Sequence, residues 1–280
     1  MYKYIYALLL AFCLFFVSSC KANNTPKQQF NAYLPPFDAF FEEEVIPLES
    51  KNLPTEEIWD TDGVDVSYIR SERKLVALTF DDTPSKNLEN IIAVFAEYNE
   101  SNPDCRASAT LFLNSGLVSS ESLPTLHTAT ALGFELGNHT KSHFDLTTLS
   151  ADALQAEIDD TDQILSRLDG KSRHLLRPPF GRVNDFVKAQ VSAPIINWSI
   201  DTLDWTKKPA EDIFNGIVSN LFSGAIVLMH DGYPATVEAV KRLLPELKDM
   251  GYQAVSVSAL AKMHGCVLRN GSEYIRLRKQ

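Results

Sequence analysis

Residues 139–143 read HTKSH, two histidines four apart, just after the apolar run FELG (134–137). That spacing alone suits a metal site, a helix face or chance, so its meaning depends on what the rest of the chain supplies. Asp81 and Asp82 follow the run LVALTF (75–80), and Arg177 closes RHLLR (173–177). Asp201 follows PIINWSI (194–200) and His230 follows GAIVLM (224–229). Two imidazoles and one carboxylate are a common ligand set for a catalytic divalent ion, leaving a position open for water. On Zn²⁺ such water has a pKa near ~7, which makes it a nucleophile at neutral pH. A second carboxylate could take its proton, and an aspartate-paired histidine could protonate a leaving group. An arginine could hold the base by a two-pronged contact. Base, metal and acid together describe metal-assisted hydrolysis of an acyl bond.

The elements that must position these groups are short apolar runs with the look of buried parallel strands. They are the five above together with ASATLFL (107–113) and QAVSV (253–257). Between them lie helical spacings. Leu88, Ile91, Ile92 and Phe95 make one face; Leu154, Ile158, Leu165 and Leu168 make another, stopped by Gly170; Val237, Val240, Leu243, Leu244 and Leu247 make a third, ended by Gly251. Strands alternating with helices predict a parallel sheet with helices packed outside it, and seven strands favour a closed or nearly closed barrel. Every candidate polar residue follows the carboxyl end of its strand. In a parallel barrel those ends share one mouth, where catalytic residues gather.

TFDDTP (79–84), HTKSH (139–143), RPPFG (177–181), DTLDW (201–205) and LMHD (228–231) occur in that order. With these five stretches the chain resembles the polysaccharide deacetylase family, with its NodB homology domain, carbohydrate esterase family 4. The resemblance covers most of residues 70–260 and implies an α/β fold, a distorted (β/α) barrel with about seven parallel strands. It implies Asp81 as catalytic base and Asp82, His139 and His143 as metal ligands. It also implies Arg177 as the group orienting Asp81, and the Phe180 backbone N–H as an oxyanion donor. Asp201 would tune the acid, Trp205 would wall the pocket, His230 would be the catalytic acid, and Leu228 would stand against the acetyl methyl. The implied metal is Zn²⁺, although other first-row divalent ions accept the same ligands. Thr83 stands where the family usually has glycine, and Phe180 where tyrosine is more usual. A positive φ at position 83 would suit threonine poorly.

His127, His174 and His264 match no motif and read as surface or satisfied structural histidines. Residues 1–20, MYKYIYALLLAFCLFFVSSC, join a cation at Lys3 to an apolar run too short for a good bilayer span. Val17–Cys20 resembles the lipobox of bacterial lipoproteins, which implies a signal peptide over 1–19 and a lipid on Cys20; a plain signal peptide is the alternative. Residues 20–63, polar and interrupted by proline, read as lipidated N-terminus, tether and lead-in, and 64–280 as the catalytic domain. The aromatic cluster Phe30, Tyr33, Phe37, Phe40 and Phe41 is expected to dock on that domain. Cys105 and Cys266 remain after processing, and outside the cytoplasm they either form a disulfide or stay as buried thiols.

The formal net charge is -10, and the basic residues are scattered rather than clustered. That argues against a nucleic-acid partner. The expectation is an extracytoplasmic, membrane-anchored hydrolase that removes acetyl groups from an N-acetylated aminosugar polymer, with peptidoglycan the nearest such polymer. Alternatives are deacetylation of O-acetylated xylan, hydrolysis of a small non-sugar amide on the same scaffold, and an inactive glycan-binding lipoprotein.

Overall fold

The computed structural model describes residues 57–279. The expected signal peptide, Cys20, the tether through residue 56 and the aromatic cluster of Phe30 to Phe41 lie outside the described residues.

Strand β1 (Lys74–Thr83) is the centre of the sheet and is buried along nearly its whole length. One edge pairs in parallel with β6 (Ile226–His230). The other takes two partners in series, β7 (Tyr252–Val255) along Lys74–Ala77 and β2 (Thr110–Leu113) along Thr79–Thr83. β3 (Glu135–Asn138) adds to β2, and β5 (Ile200–Asp201) adds to β6. Beyond β3 the ring continues through Leu176, which bridges Asn138 and Ile195, to β4 (Ile195–Ile196) and β8 (Glu273–Tyr274). An antiparallel bridge from Arg276 to Ala225 then returns the path to the start of β6. The result is a nearly closed, distorted parallel barrel, as expected.

Two expected strands differ in detail. RHLLR contributes only the Leu176 bridge, and PIINWSI divides into β4 and β5. The division has a physical cause: the segment changes partner at Trp198. Asn197 N–H donates to Tyr274 on one side, and Ser199 N–H donates to Ile226 on the other. The two-residue β8 carries too short an apolar signal to be read from sequence.

Alternation along the strands sorts the residues into layers. Val76, Leu78 and Phe80 face the helices, whereas Leu75 and Ala77 face the barrel interior with Phe112, Leu175, Ile196 and Ile226. Continuing each inward row toward the carboxyl end gives Thr79 and Asp81 after Ala77, Leu228 and His230 after Ile226, and Arg177 after Leu175. Apolar packing at the base thus hands over to polar chemistry at the mouth.

The outer layer follows the predicted helical faces. Helix α1 (Leu88–Ser101) buries Leu88, Ile91, Ile92 and Phe95. After it come α2 (Leu123–Ala131), and then α3 (Ala151–Asp169), which buries Leu154, Ile158, Leu165 and Leu168. Ser150 caps α3 at its start, and Gly170 ends it at φ 77. Short α4 (Asp185–Gln190) and α5 (Ala210–Asn220) lead to α6 (Pro234–Asp249), and α7 (Val257–His264) follows β7. Each fully buried Leu or Phe on these faces contributes about 1.5–3 kcal/mol.

Cys105 and Cys266 are both free thiols, so the bridged alternative is corrected. Cys105 is buried after α1, while Cys266 follows α7 and its Sγ lies 3.1 Å from the Arg278 carbonyl. His174 and His264 are buried and hydrogen-bonded, His264 through Nδ1 to the Leu277 carbonyl at 2.6 Å.

Candidate active site

Asp82 follows the inward-facing Asp81 near the end of β1, and His139 and His143 follow β3. One ligand atom of each lies within 4.8 Å of the others. Asp82 Oδ1 is 3.6 Å from His139 Nε2 and 3.4 Å from His143 Nε2. Tetrahedral bonds of about 2.0–2.2 Å place neighbouring ligand atoms about 3.3–3.6 Å apart, so the residues fit a divalent ion. The tautomer fits too. His139 Nδ1 lies 2.6 Å from the Arg177 carbonyl, which can only accept, so Nδ1 carries the proton and Nε2 presents a lone pair. Burial pushes the His139 imidazole down, against the pull of Asp81 and Asp82, and so favours the neutral form that binds metals.

Asp81 is buried beside this cluster, its Oδ2 3.7 Å from His139 Nε2. Its Oδ1 accepts from Arg177 Nη1 at 2.7 Å. Arg177 has 0% exposure, and its donors are shared out across the barrel. Nη1 also reaches Thr79 Oγ1 at 2.6 Å, Nε reaches the Ile196 carbonyl at 2.8 Å, and Nη2 reaches Asn197 at 3.4 Å. The contact with Asp81 is therefore single, not two-pronged, because the other donors anchor the guanidinium to neighbouring strands. Phe112 supports it from below, its ring centroid 4.1 Å from Cζ. Gly137 makes room for that ring, since a Cβ there would stand 2.5 Å from Phe112.

Across the mouth, His230 ends β6 directly beside Asp81 in register. Its Nδ1 lies 2.8 Å from Asp204 Oδ1, and its own backbone N–H donates to Asp204 Oδ2 at 2.8 Å. Thr236, in the first turn of α6, donates to the same Oδ2 at 2.7 Å. Burial disfavours the imidazolium, but the Asp204 bond and the charges of Asp81, Asp204 and Asp82 outweigh it and raise the His230 pKa. This corrects the expected pairing with Asp201. Asp201 is exposed and its Oδ1 accepts from Leu203 N–H at 2.8 Å, closing a local turn. Left-handed Leu203 (φ 55) then turns the chain so that buried Asp204 points inward.

Backbone strain is concentrated at this face. Among the described residues the non-glycine positive φ values are at Asp82, Thr140, His143, Phe180, Leu203 and Lys207. Asp82 lies next to the last residue of β1, and the others follow β3, Leu176 or β5. Such conformations cost on the order of 1–3 kcal/mol each and cluster where function requires them.

A model of the polysaccharide deacetylase family matches residues 69–194. Over 203 residues the chain is 32% identical to a peptidoglycan-N-acetylglucosamine deacetylase of Bacillus cereus, a match that covers 69% of this chain and 91% of that one. The chain belongs to the polysaccharide deacetylase family. It is also 32% identical over 192 residues to the peptidoglycan-N-acetylmuramic acid deacetylase PdaC of Bacillus subtilis, spanning 68% of this chain but only 39% of that relative's length. A family 4 acetyl xylan esterase from Clostridium thermocellum, solved in complex with a cobalt ion, superposes with a TM-score of 0.67 at 26% identity, covering 73% of this chain and 99% of that one.

The departures from the usual pattern of the polysaccharide deacetylase family find places here. The positive φ falls on Asp82, not on Thr83. Thr83 is buried in β1 and donates from Oγ1 to the Phe112 carbonyl at 3.1 Å, so a side chain is useful there. Phe180 is 59% exposed, left-handed at φ 61, and its ring meets His143 edge-on with centroids 4.7 Å apart. Trp205 is 52% exposed beside Asp204, and Leu228 is buried one residue pair below His230. Two further residues escaped the sequence reading, Asp204 and Asp231. Both lie in quoted motifs, DTLDW and LMHD, but the motifs alone did not say which acid turns inward. Asp231 is fully buried, and its Oδ2 accepts from Ser85 N–H at 2.8 Å, tying the loop after β6 to the loop after β1. Burial pushes its carboxyl up to about 7, against the Ser85 bonds, and its Oδ1 has no partner among the described residues.

Proposed function

We propose that this chain is a metal-dependent deacetylase that hydrolyses the N-acetyl groups of an aminosugar polymer, peptidoglycan first among them. The observation that carries the reading is the complete set at one mouth: the Asp82–His139–His143 cluster, Asp81 held by Arg177, and His230 held by Asp204. When bound, a divalent ion would supply Lewis acidity, polarising the acetyl carbonyl and acidifying water. Zn²⁺ is the ion the family resemblance implies, and other first-row divalent ions accept the same two imidazoles and carboxylate. Asp81, fixed through Oδ1, accepts the proton of the attacking water. The Phe180 N–H donates to the carbonyl oxygen as negative charge builds there. His230, with Nδ1 committed to Asp204, gives a proton from Nε2 to the departing amine. Trp205 and Leu228 bound the space for the sugar and the acetyl methyl.

The peptidoglycan relatives support that polymer, and the resemblance of the acetyl xylan esterase supports O-acetylated xylan as a second reading. The apolar N-terminal run ending at Cys20 supports export and lipid anchoring, with residues 20–63 as tether and 64–280 as the catalytic body. The test is acetate release from purified peptidoglycan, an N-acetylglucosamine oligomer and acetylated xylan, with and without chelator and added Zn²⁺. Chelator-sensitive release from peptidoglycan or the oligomer bears the reading out, and release from xylan alone transfers it to the ester. Binding of all three without release replaces it with a glycan-binding role. The mass of the mature N-terminus tests the lipid.

A further inference from the structure

The segment that carries the two histidines is held in an unfavourable shape. Thr140 and His143 both adopt left-handed conformations, at φ 67 and φ 57. Such conformations persist in non-glycine residues only where the surroundings over-determine them. The carbonyls of Thr140 and Lys141 accept from Ser115 and Gly116 N–H, and the restraint on the amides comes from helix α3 and the residue that ends β3. Thr140 N–H donates to Asn138 Oδ1 at 2.8 Å, and Lys141 N–H donates to the Glu157 carbonyl at 3.1 Å. Ser142 N–H donates to Glu157 Oε2 at 2.7 Å. Three successive amides of the segment are thus claimed from one side.

Asn138 is fixed in turn. Its Nδ2 donates to the Ile158 carbonyl at 3.0 Å and to Asp162 Oδ1 at 2.9 Å. The same Asp162 oxygen lies 2.9 Å from His174 Nδ1, and His174 Nε2 lies 3.1 Å from Asp169 Oδ1. Both ring nitrogens face carboxylate oxygens, which only accept, so His174 is a doubly protonated cation clamped between two acids. Asn138, Glu157, Asp162 and His174 are all buried. Burying a cation and carboxylates carries a desolvation cost that an apolar set of similar volume would avoid. In this place the polar set delivers something an apolar set could not: fixed acceptors for the backbone between His139 and His143.

We propose that Glu157 and the chain Asn138–Asp162–His174–Asp169 are positioning residues that preset the Thr140–His143 segment for a divalent ion. The proposal rests on the metal reading above and extends it to residues outside the five motifs. Outer partners of this kind alter metal affinity by about 10–100-fold when removed.

The test is the Zn²⁺ affinity of the full chain, measured by competition with a chromophoric chelator, alongside the Tm of the metal-free protein. Glu157→Ala and Asn138→Ala should each bind Zn²⁺ about 10–100-fold more weakly. Glu157→Gln keeps an acceptor for Ser142 N–H and should restore wild-type affinity. Leu243→Ala, which removes a buried side chain of α6, should lower Tm and leave Zn²⁺ affinity unchanged. If Asn138→Ala does not fold, the Glu157 pair decides alone. Unchanged affinity in the folded Glu157→Ala protein would overturn the proposal, as would an equal loss in Leu243→Ala. Wild-type protein that binds no Zn²⁺ would overturn the metal reading and this proposal together, an outcome visible before any variant is made.

Discussion

Asp204 Oδ1 lies 2.8 Å from His230 Nδ1, while Asp201, three residues earlier in the same motif, faces solvent. The buried acid fixes both the ring orientation and the tautomer. Asparagine at position 204 could donate its amide to Nδ1 and so reverse the tautomer. Asp204→Asn is therefore expected to lower kcat on the order of 10²–10⁴-fold, the range seen for displaced acid–base pairs. Asp201→Asn should stay within a few-fold of wild type. Steady-state acetate release by the two variants checks this, and equal losses would return the role to Asp201.

Metal and base should separate by mutation. Asp81→Asn removes the base but none of the Asp82–His139–His143 cluster, so it should retain Zn²⁺ and lose turnover. His139→Ala should lose the ion. Metal content by elemental analysis, together with acetate release, distinguishes the two. A chelator should abolish activity while leaving the far-ultraviolet circular dichroism unchanged, because the ligands sit on a sheet with its own apolar core.

His174 makes stability depend on alkaline pH. Its pKa is about 9 in the folded protein, because its bonds to Asp162 and Asp169 outweigh burial, against about 6.5 in an unfolded chain. The folded state therefore binds more protons between those values. The contribution is full below pH ~6.5 and is lost as pH rises through about 9, on the order of 3 kcal/mol in all. Urea unfolding from pH 6 to 10 should show that fall in wild type and a flatter profile in His174→Phe.

Asp231 should act against stability at neutral pH. Its folded pKa near 7 lies above the ordinary value of about 3.9, so the folded state favours the proton across that window. Stability from this site is greatest at low pH and falls as pH rises toward 7. Asp231→Asn keeps an acceptor for Ser85 N–H without the charge. In metal-free protein its Tm should exceed wild type at pH 8 and match it at pH 4.

Much of this was legible in the chain itself. The run LVALTF is apolar on both faces and became β1, and Gly170 stopped α3 where the helical spacing ended. The strand-end positions of Asp81, His139, Arg177 and His230 carried them to one mouth, since strand alternation leaves an inward residue little choice. The illegible parts depended on tertiary partners. PIINWSI reads as one strand because its apolar run is continuous, yet β8 and β6 pull its halves apart at Trp198. Asp201 and Asp204 differ by one left-handed residue, Leu203, and leucine gives no local signal for that conformation. His174 looked like a lone histidine because both of its acids lie on α3, out of motif register.

The left-handed residues suggest where this protein gives up robustness. Leu203 and Lys207 carry none of the reacting atoms proposed here, yet both hold a conformation that glycine adopts without penalty. A search for heat-resistant variants would be drawn to these positions, since each holds strain on the order of 1–3 kcal/mol that glycine would not. The gain would loosen the turn that directs Asp204 inward. Selection for endurance and selection for turnover would therefore pull this loop in opposite directions, while the apolar base of the barrel could be hardened freely.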